Sequence, residues 1–204
     1  MDKPGQNVDS ESEIEIAGKL PYVSRGGLKL ERALDHFRID VAGKVCLDAG
    51  ASTGGFTDCL LQHGAARVYA VDVGKGQLDW RLRGDPRVTV REGINARYLT
   101  REDAGEPIDL ATADVSFISV TMIAPNLAAV LKPDGAMIIL IKPQFEVGRE
   151  QVGKGGIVRD PAMHNAACDR VRAAVEAIGF QTAIIESPVL GAEGNREFLL
   201  YAIR

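Results

Sequence analysis

Two polar residues close strand-like segments that are otherwise largely apolar: Asp114 ends Ile108–Asp114 and Lys142 ends Ala136–Lys142. Burying an ammonium without a partner is costly, so such a lysine either snorkels to the sheet edge or belongs to a polar site. Paired with a carboxylate, it is suited to deprotonating a hydroxyl. A third chemical feature is Leu47–Leu61, where Asp48 ends a strand-like run and Gly50, Gly54 and Gly55 punctuate a turn into a helix. Glycines let a backbone approach a ligand closely, and the first turn of a helix presents N–H groups that lack intrahelical partners. Asp72, near the end of the next apolar segment, stands where an acid commonly accepts hydrogen bonds from ribose hydroxyls. Taken singly, Asp48 also reads as a helix cap and Asp72 as a turn cap. His36, His63 and His164 are scattered, and Cys46, Cys59 and Cys168 fit neither a disulfide framework nor a zinc site. No metal is expected, and the thiols are expected to be buried.

The elements that must position these residues alternate. Gly26–Phe37 carries Leu28, Leu30, Ala33, Leu34 and Phe37 at near-helical spacing. Strands are expected at Lys44–Asp48, Arg67–Val73, Arg87–Arg91, Ile108–Asp114 and Ala136–Lys142. Helices should run through His63, through Leu131 ahead of a Pro133–Gly135 turn that leads into the fifth strand, and from Pro161 to Ile178. Residues 143–160 read as a long loop rich in glycine and charge. Phe180–Ser187 and Arg196–Ile203 are close enough to pair as an antiparallel hairpin. The expected fold is therefore α/β: a mostly parallel, doubly wound sheet of seven strands with a closing antiparallel hairpin, the Rossmann-like arrangement of class I methyltransferases.

The glycine spacing, Gly-x-x-x-Gly-Gly, departs from the Gly-x-Gly-x-x-Gly of dinucleotide enzymes. It resembles the turn in which methyltransferases cradle the methionine end of S-adenosylmethionine, although Asp72 alone would serve NAD equally well. After Asp114 the sequence reads Val-Ser-Phe, not the Pro-Pro-aromatic of amino-group methyltransferases, and no cysteine stands where attack on cytosine C5 would need one. Ser24–Leu30, Leu47–Asp58, Ala113–Ser119, Ile141–Glu146 and Gly194–Leu200 together resemble the TlyA-type ribosomal RNA 2′-O-methyltransferases, relatives of the FtsJ-like ribose methyltransferases. The resemblance runs from about Pro21 to Arg204. It implies a Lys-Asp-Lys-Glu set falling on Lys29, Asp114, Lys142 and Glu197. It also implies S-adenosylmethionine bound by Asp48, Gly50, Ala51, Ser52, Thr53, Gly54, Gly55, Phe56, Asp72, Asn95 and Asp114. In such a site Lys142 would stand nearest the 2′-oxygen and act as base if neutral. Lys29 would press on it as a like charge while Asp114 and Glu197 orient the pair.

A net charge of −4 over 204 residues does not by itself announce a nucleic-acid binder. The resemblance implies an S4-type RNA-binding domain ahead of the methyltransferase domain. Residues 1–21, polar and acidic, are expected to be its closing part and linker, with the methyltransferase domain over 22–204. The implied partner is ribosomal RNA, cytidine in particular, within ribosomal subunits. Arg81, Arg83, Arg87 and Arg91 form one basic stretch, and Arg149, Lys154 and Arg159 border the long loop with Lys142. The loop group lies nearer the expected target. No apolar run reaches the roughly eighteen residues of a membrane span, so a soluble cytoplasmic protein without membrane partners is expected. Three other readings stand beside this one: a nicotinamide-dependent enzyme, a non-catalytic RNA-binding assembly factor, and the membrane-active hemolysin that the family's historical name suggests.

Overall fold

A computed structural model describes residues 20–191 and 194–204, so the expected domain remnant falls almost wholly outside the described residues. The strands are β1 (Val45–Ala49), β2 (Arg67–Asp72), β3 (Val88–Glu92), β4 (Ile108–Ala113), β5 (Leu131–Ile141), β6 (Gln181–Glu186) and β7 (Phe198–Ile203). The helices are α1 (Gly26–Phe37), α2 (Gly55–Gln62), α3 (Trp80–Arg83), α4 (Arg101–Ala104), α5 (Ala124–Val130), α6 (Pro143–Glu146) and α7 (Pro161–Glu176). Among the described residues the strands form one sheet in the order β3-β2-β1-β4-β5-β7-β6. β1 to β5 pair in parallel, and β7 runs antiparallel to both β5 and β6.

Side-chain alternation divides the apolar residues of each strand between two layers. Met137, Ile139 and Ile141 of β5 pack on one face with α5 and α7, while Ile138 and Leu140 pack on the other with α1 and α2. Each of these fully buried aliphatic side chains contributes about 1.5–3 kcal/mol. Two short features depart from the sequence-based expectation. Pro133–Gly135 does not precede β5 but lies within it: pairing jumps from Ile108↔Leu131 to Leu110↔Ala136, so the intervening residues bulge outward. A bulge tolerates the missing N–H of Pro133. The long loop also begins with a helical turn, α6, with proline at its first position.

The same alternation places Asp48 on the α1–α2 face, with Cys46 and Leu110. The β1–β4 register sets it opposite Thr112. Its carboxylate accepts from Thr57 N at 3.0 Å, Thr57 Oγ1 at 2.7 Å and Thr112 Oγ1 at 3.2 Å, and it is fully buried. Burial pushes the carboxyl up to about 7, against the hydrogen bonds from Thr57. The unfolded aspartate titrates near 3.8, so between about pH 4 and 7 the native state holds the extra proton and stability falls as pH rises. Above that window both states are ionised and the penalty is constant. Asp48→Asn keeps an acceptor for Thr57 and should flatten Asp48's share of the slope, about 1.4 kcal/mol per pH unit at its steepest. Urea midpoints of both proteins from pH 4.5 to 7.5 measure this. If their difference did not change with pH, the assignment would be wrong.

Candidate active site

Parallel register gathers the polar residues at one sheet edge. Ala49 pairs with both Val71 and Ala113, so Gly50, Asp72 and Asp114 leave their strands side by side. The strand order reverses at β1 and β4, the place where ligands bind in open α/β sheets. Ile141 pairs with Phe198 across the antiparallel β5–β7 ladder, so Lys142, just past β5, meets Glu197, just before β7. Lys29 enters from α1, which packs on α2 and β7. The chain leading into α1 is held to α2: Val23 N donates to Asp58 Oδ2 at 2.8 Å, and Gln62 Nε2 donates to Pro21 O at 2.9 Å.

All four residues of the expected set line one cavity of 720 Å³. They form two ion pairs. Lys29 Nζ donates to Glu197 Oε2 at 2.5 Å, with the lysine side chain only 10% and the glutamate 2% exposed. Lys142 Nζ lies 2.5 Å from Asp114 Oδ1 and donates to Ser116 Oγ at 2.9 Å. The Asp114 contact is electrostatic and oblique, since Oδ1 makes no aligned hydrogen bond. Gly191 makes room for the glutamate, because a β-carbon there would stand 1.9 Å from Glu197 Oε1.

Gly50, Ala51, Ser52, Thr53, Gly55 and Phe56 line the same cavity. A neighbouring cavity of 540 Å³ is lined by Asp72 and Asn95 and shares Gly50, Ser52, Asp114, Ser116 and Phe117 with the first. Asp72 accepts from Ser52 N at 2.8 Å and Gly74 N at 2.7 Å, which fixes its carboxylate and leaves acceptor sites on both oxygens. The Asn95 side chain accepts from Arg97 N at 3.0 Å and caps a short turn. Asp48 and Gly54 line neither cavity: the first sits beneath the turn, and the second turns at φ 99° against Leu82. The joined cavities fit an elongated nucleoside with an amino-acid tail. Gly50–Thr53, Gly55 and Phe56 would hold the tail and Asp72 the ribose diol.

Several site-building residues escaped the sequence reading. Ser116 contacts Lys142, as above. Asn195 ties the glycine-rich loop to the lead-in of β7, accepting from Val158 N at 3.0 Å and donating to Gly156 O at 2.9 Å. Glu146, buried, accepts from Ser119 Oγ at 2.6 Å and Val120 N at 2.8 Å, and burial pushes its carboxyl up. These contacts join loops far apart in sequence, and no local spacing announces them. Of the basic stretch, Arg81, Arg83 and Arg87 are paired with Asp79, Glu92 and Asp85, which neutralises most of it. Among the described residues no group of His, Cys, Asp and Glu is placed to hold a metal ion, and no helix is long and apolar enough to cross a membrane.

A sheet of this order, with a nucleoside-sized cleft at its reversal point and a lysine–carboxylate set beside it, defines an S-adenosylmethionine-dependent methyltransferase of the Rossmann-like class. Residues 22–204 match the FtsJ-like methyltransferases, and the chain belongs to that family. It is 50% identical to YqxC of Bacillus subtilis, named as a candidate rRNA methyltransferase, over 98% of this chain and 73% of the relative. It is 46% identical to the 16S/23S rRNA (cytidine-2′-O)-methyltransferase TlyA of Mycobacterium tuberculosis, over 98% of this chain and 75% of that one. A solved structure from Streptococcus thermophilus, named as a candidate hemolysin, superposes with a TM-score of 0.88 at 48% identity, covering 92% of this chain and 68% of that one.

Proposed function

We propose that this protein methylates the ribose 2′-hydroxyl of a ribosomal RNA cytidine, with Lys29, Asp114, Lys142 and Glu197 as the working set. The observation that carries the reading is the placement of Lys142 Nζ between Asp114 and Ser116, in a cavity continuous with the cofactor cleft. S-adenosylmethionine, held by the glycine turn and Asp72, would supply an electrophilic sulfonium methyl group with a neutral thioether as leaving group. The protein's own task is to align the acceptor oxygen and take its proton, which passes to Lys142 Nζ and then to solvent. Alignment of this kind is worth several kcal/mol of a barrier. Lys142 takes the proton as the neutral amine, and Asp114 stabilises the ammonium that it becomes. The Lys29–Glu197 pair lines the same cavity and is assigned to the acceptor ribose. Cofactor contacts are assigned to Gly50–Thr53, Gly55, Phe56, Asp72, Asn95 and Asp114, with Asp48 and Gly54 supporting the turn from below.

Phe117 supports an RNA acceptor. It is 91% exposed at the mouth of both cavities, at φ 66°, with its ring centroid 5.3 Å from that of Phe145. A bulky residue in that strained conformation is retained where function requires it, and an exposed ring is a stacking face for an unpaired base. Ribosomal RNA and cytidine follow the name of the Mycobacterium tuberculosis relative. Arg149, Lys154 and Arg159 are assigned to the RNA-facing rim. In the full-length protein an S4-type RNA-binding domain acts in cis, with residues 1–21 as its closing part and linker. The protein acts in the cytoplasm, where ribosomal subunits are found.

The test is methyl transfer from labelled S-adenosylmethionine to purified small and large ribosomal subunits, followed by digestion to nucleosides. Label is expected in 2′-O-methylcytidine. Label on a base, or none on either subunit despite cofactor binding, would refute the reading.

A further inference from the structure

We propose that Ser116 is a positioning residue for this reaction: its hydroxyl sets the direction in which Lys142 presents its nitrogen to the acceptor. The inference rests on the function proposed above.

A lysine side chain is long and loses much rotamer freedom when fixed, so a lysine that must meet one oxygen needs directional restraint. Beyond its bond to Cε, the nitrogen has three tetrahedral positions. The ion pair with Asp114 is close, at 2.5 Å, but oblique. Charge attraction draws Nζ toward the carboxylate without choosing how the nitrogen is turned. The hydrogen bond to Ser116 Oγ, at 2.9 Å, supplies that choice. With one position facing Asp114 and one donating to Ser116, the third is left for the cavity that Lys142 lines. In the neutral amine that position is the lone pair, and it receives the acceptor's proton while the hydroxyl proton of Ser116 stays in place.

The backbone explains why a serine reaches there. Asp114 N still donates to Ala49 O, at 2.9 Å, so the sheet ladder holds residue 114. Phe117 then turns at φ 66°, which confines Ser116 to the short span between the fixed strand end and the turned phenylalanine. Ser116 lines both cavities and stands where the cofactor cleft meets the acceptor space.

The full-length protein carrying Ser116→Ala or Ser116→Thr would be compared with wild type in single-turnover transfer to saturating ribosomal subunits. Affinity for S-adenosylhomocysteine and thermal melting would be recorded in parallel. Ser116→Ala should slow transfer by about 10- to 100-fold, the scale of a misplaced reacting group. Its product affinity and the subunit concentration giving half-maximal rate should stay near wild type. Ser116→Thr, which restores the hydroxyl, should recover most of the rate. The proposal fails if Ser116→Ala transfers at the wild-type rate, if its loss is matched by weaker binding, or if threonine is as slow as alanine. Absence of 2′-O transfer by wild type would instead overturn the parent reading, and this one with it.

Discussion

Lys142→Ala is expected to lower the single-turnover rate constant for methyl transfer by about 10³-fold, within the range assigned to a positioned general base. The expectation follows from where the nitrogen sits. It is 2.5 Å from Asp114 and 2.9 Å from Ser116, on a side chain only 12% exposed, in the cavity where the acceptor must enter. Removing it leaves Asp114 partly exposed and still able to meet water, so the fold should survive. The proposed cofactor contacts lie on the glycine turn and on Asp72, so affinity for S-adenosylhomocysteine should change little. Lys142→Arg keeps the positive charge but cannot accept a proton at any ordinary pH. It should be nearly as slow as alanine, which separates proton transfer from charge alone. A Lys142→Ala protein that transfers at more than a tenth of the wild-type rate would remove Lys142 from the mechanism.

Gly50→Ala is expected to weaken both cofactor binding and transfer, because one added methyl group meets two obstacles. Gly50 adopts φ 83°, where a side chain is strained, and a β-carbon would stand 2.5 Å from the Asp114 carbonyl oxygen. That obstacle is backbone, and it belongs to the residue that holds Lys142. Relief requires moving either the turn that lines the cofactor cleft or the strand end that carries the acid. The conformational strain alone costs about 1–3 kcal/mol, and about 2–4 °C of melting temperature per kcal/mol in a chain of this size. Gly43→Ala isolates that part, since Gly43 has φ 71° with nothing within 4 Å of an added β-carbon. Both variants should melt earlier, while only Gly50→Ala should lose cofactor affinity, by about tenfold or more for a ligand-facing misfit of over 1 kcal/mol. Equal affinities for the two would mean that the close approach at Gly50 does not shape the site.

Much of this arrangement was legible in the residues, for identifiable reasons. Apolar runs ending in Asp72, Asp114 and Lys142 announce strands with polar carboxyl ends, and parallel pairing then brings those ends together. Lys29 and Glu197 were legible only through family resemblance. They are 168 residues apart, and their 2.5 Å contact depends on the antiparallel entry of β7 beside β5. Asp48 shows the opposite limit. Its place at a strand end just before the glycine motif suggested a ligand contact, whereas strand alternation turns it inward to Thr57 and Thr112. A sequence shows that alternation exists but not which parity faces which layer. The four-residue helices α3, α4 and α6 are too short for periodicity to reveal. Ser116 was invisible as a contact because its partner arrives from another strand.

The most direct test of the central claim is a crystal structure of this protein with sinefungin, whose amine replaces the transferable methyl group. The amino-acid tail is expected on Gly50–Thr53, Gly55 and Phe56, the ribose hydroxyls on Asp72, and the amine facing Lys142 Nζ across the space left for an acceptor oxygen. An analogue bound the other way round, with its adenine against Lys142 and Glu197, or bound outside these two cavities, would contradict it.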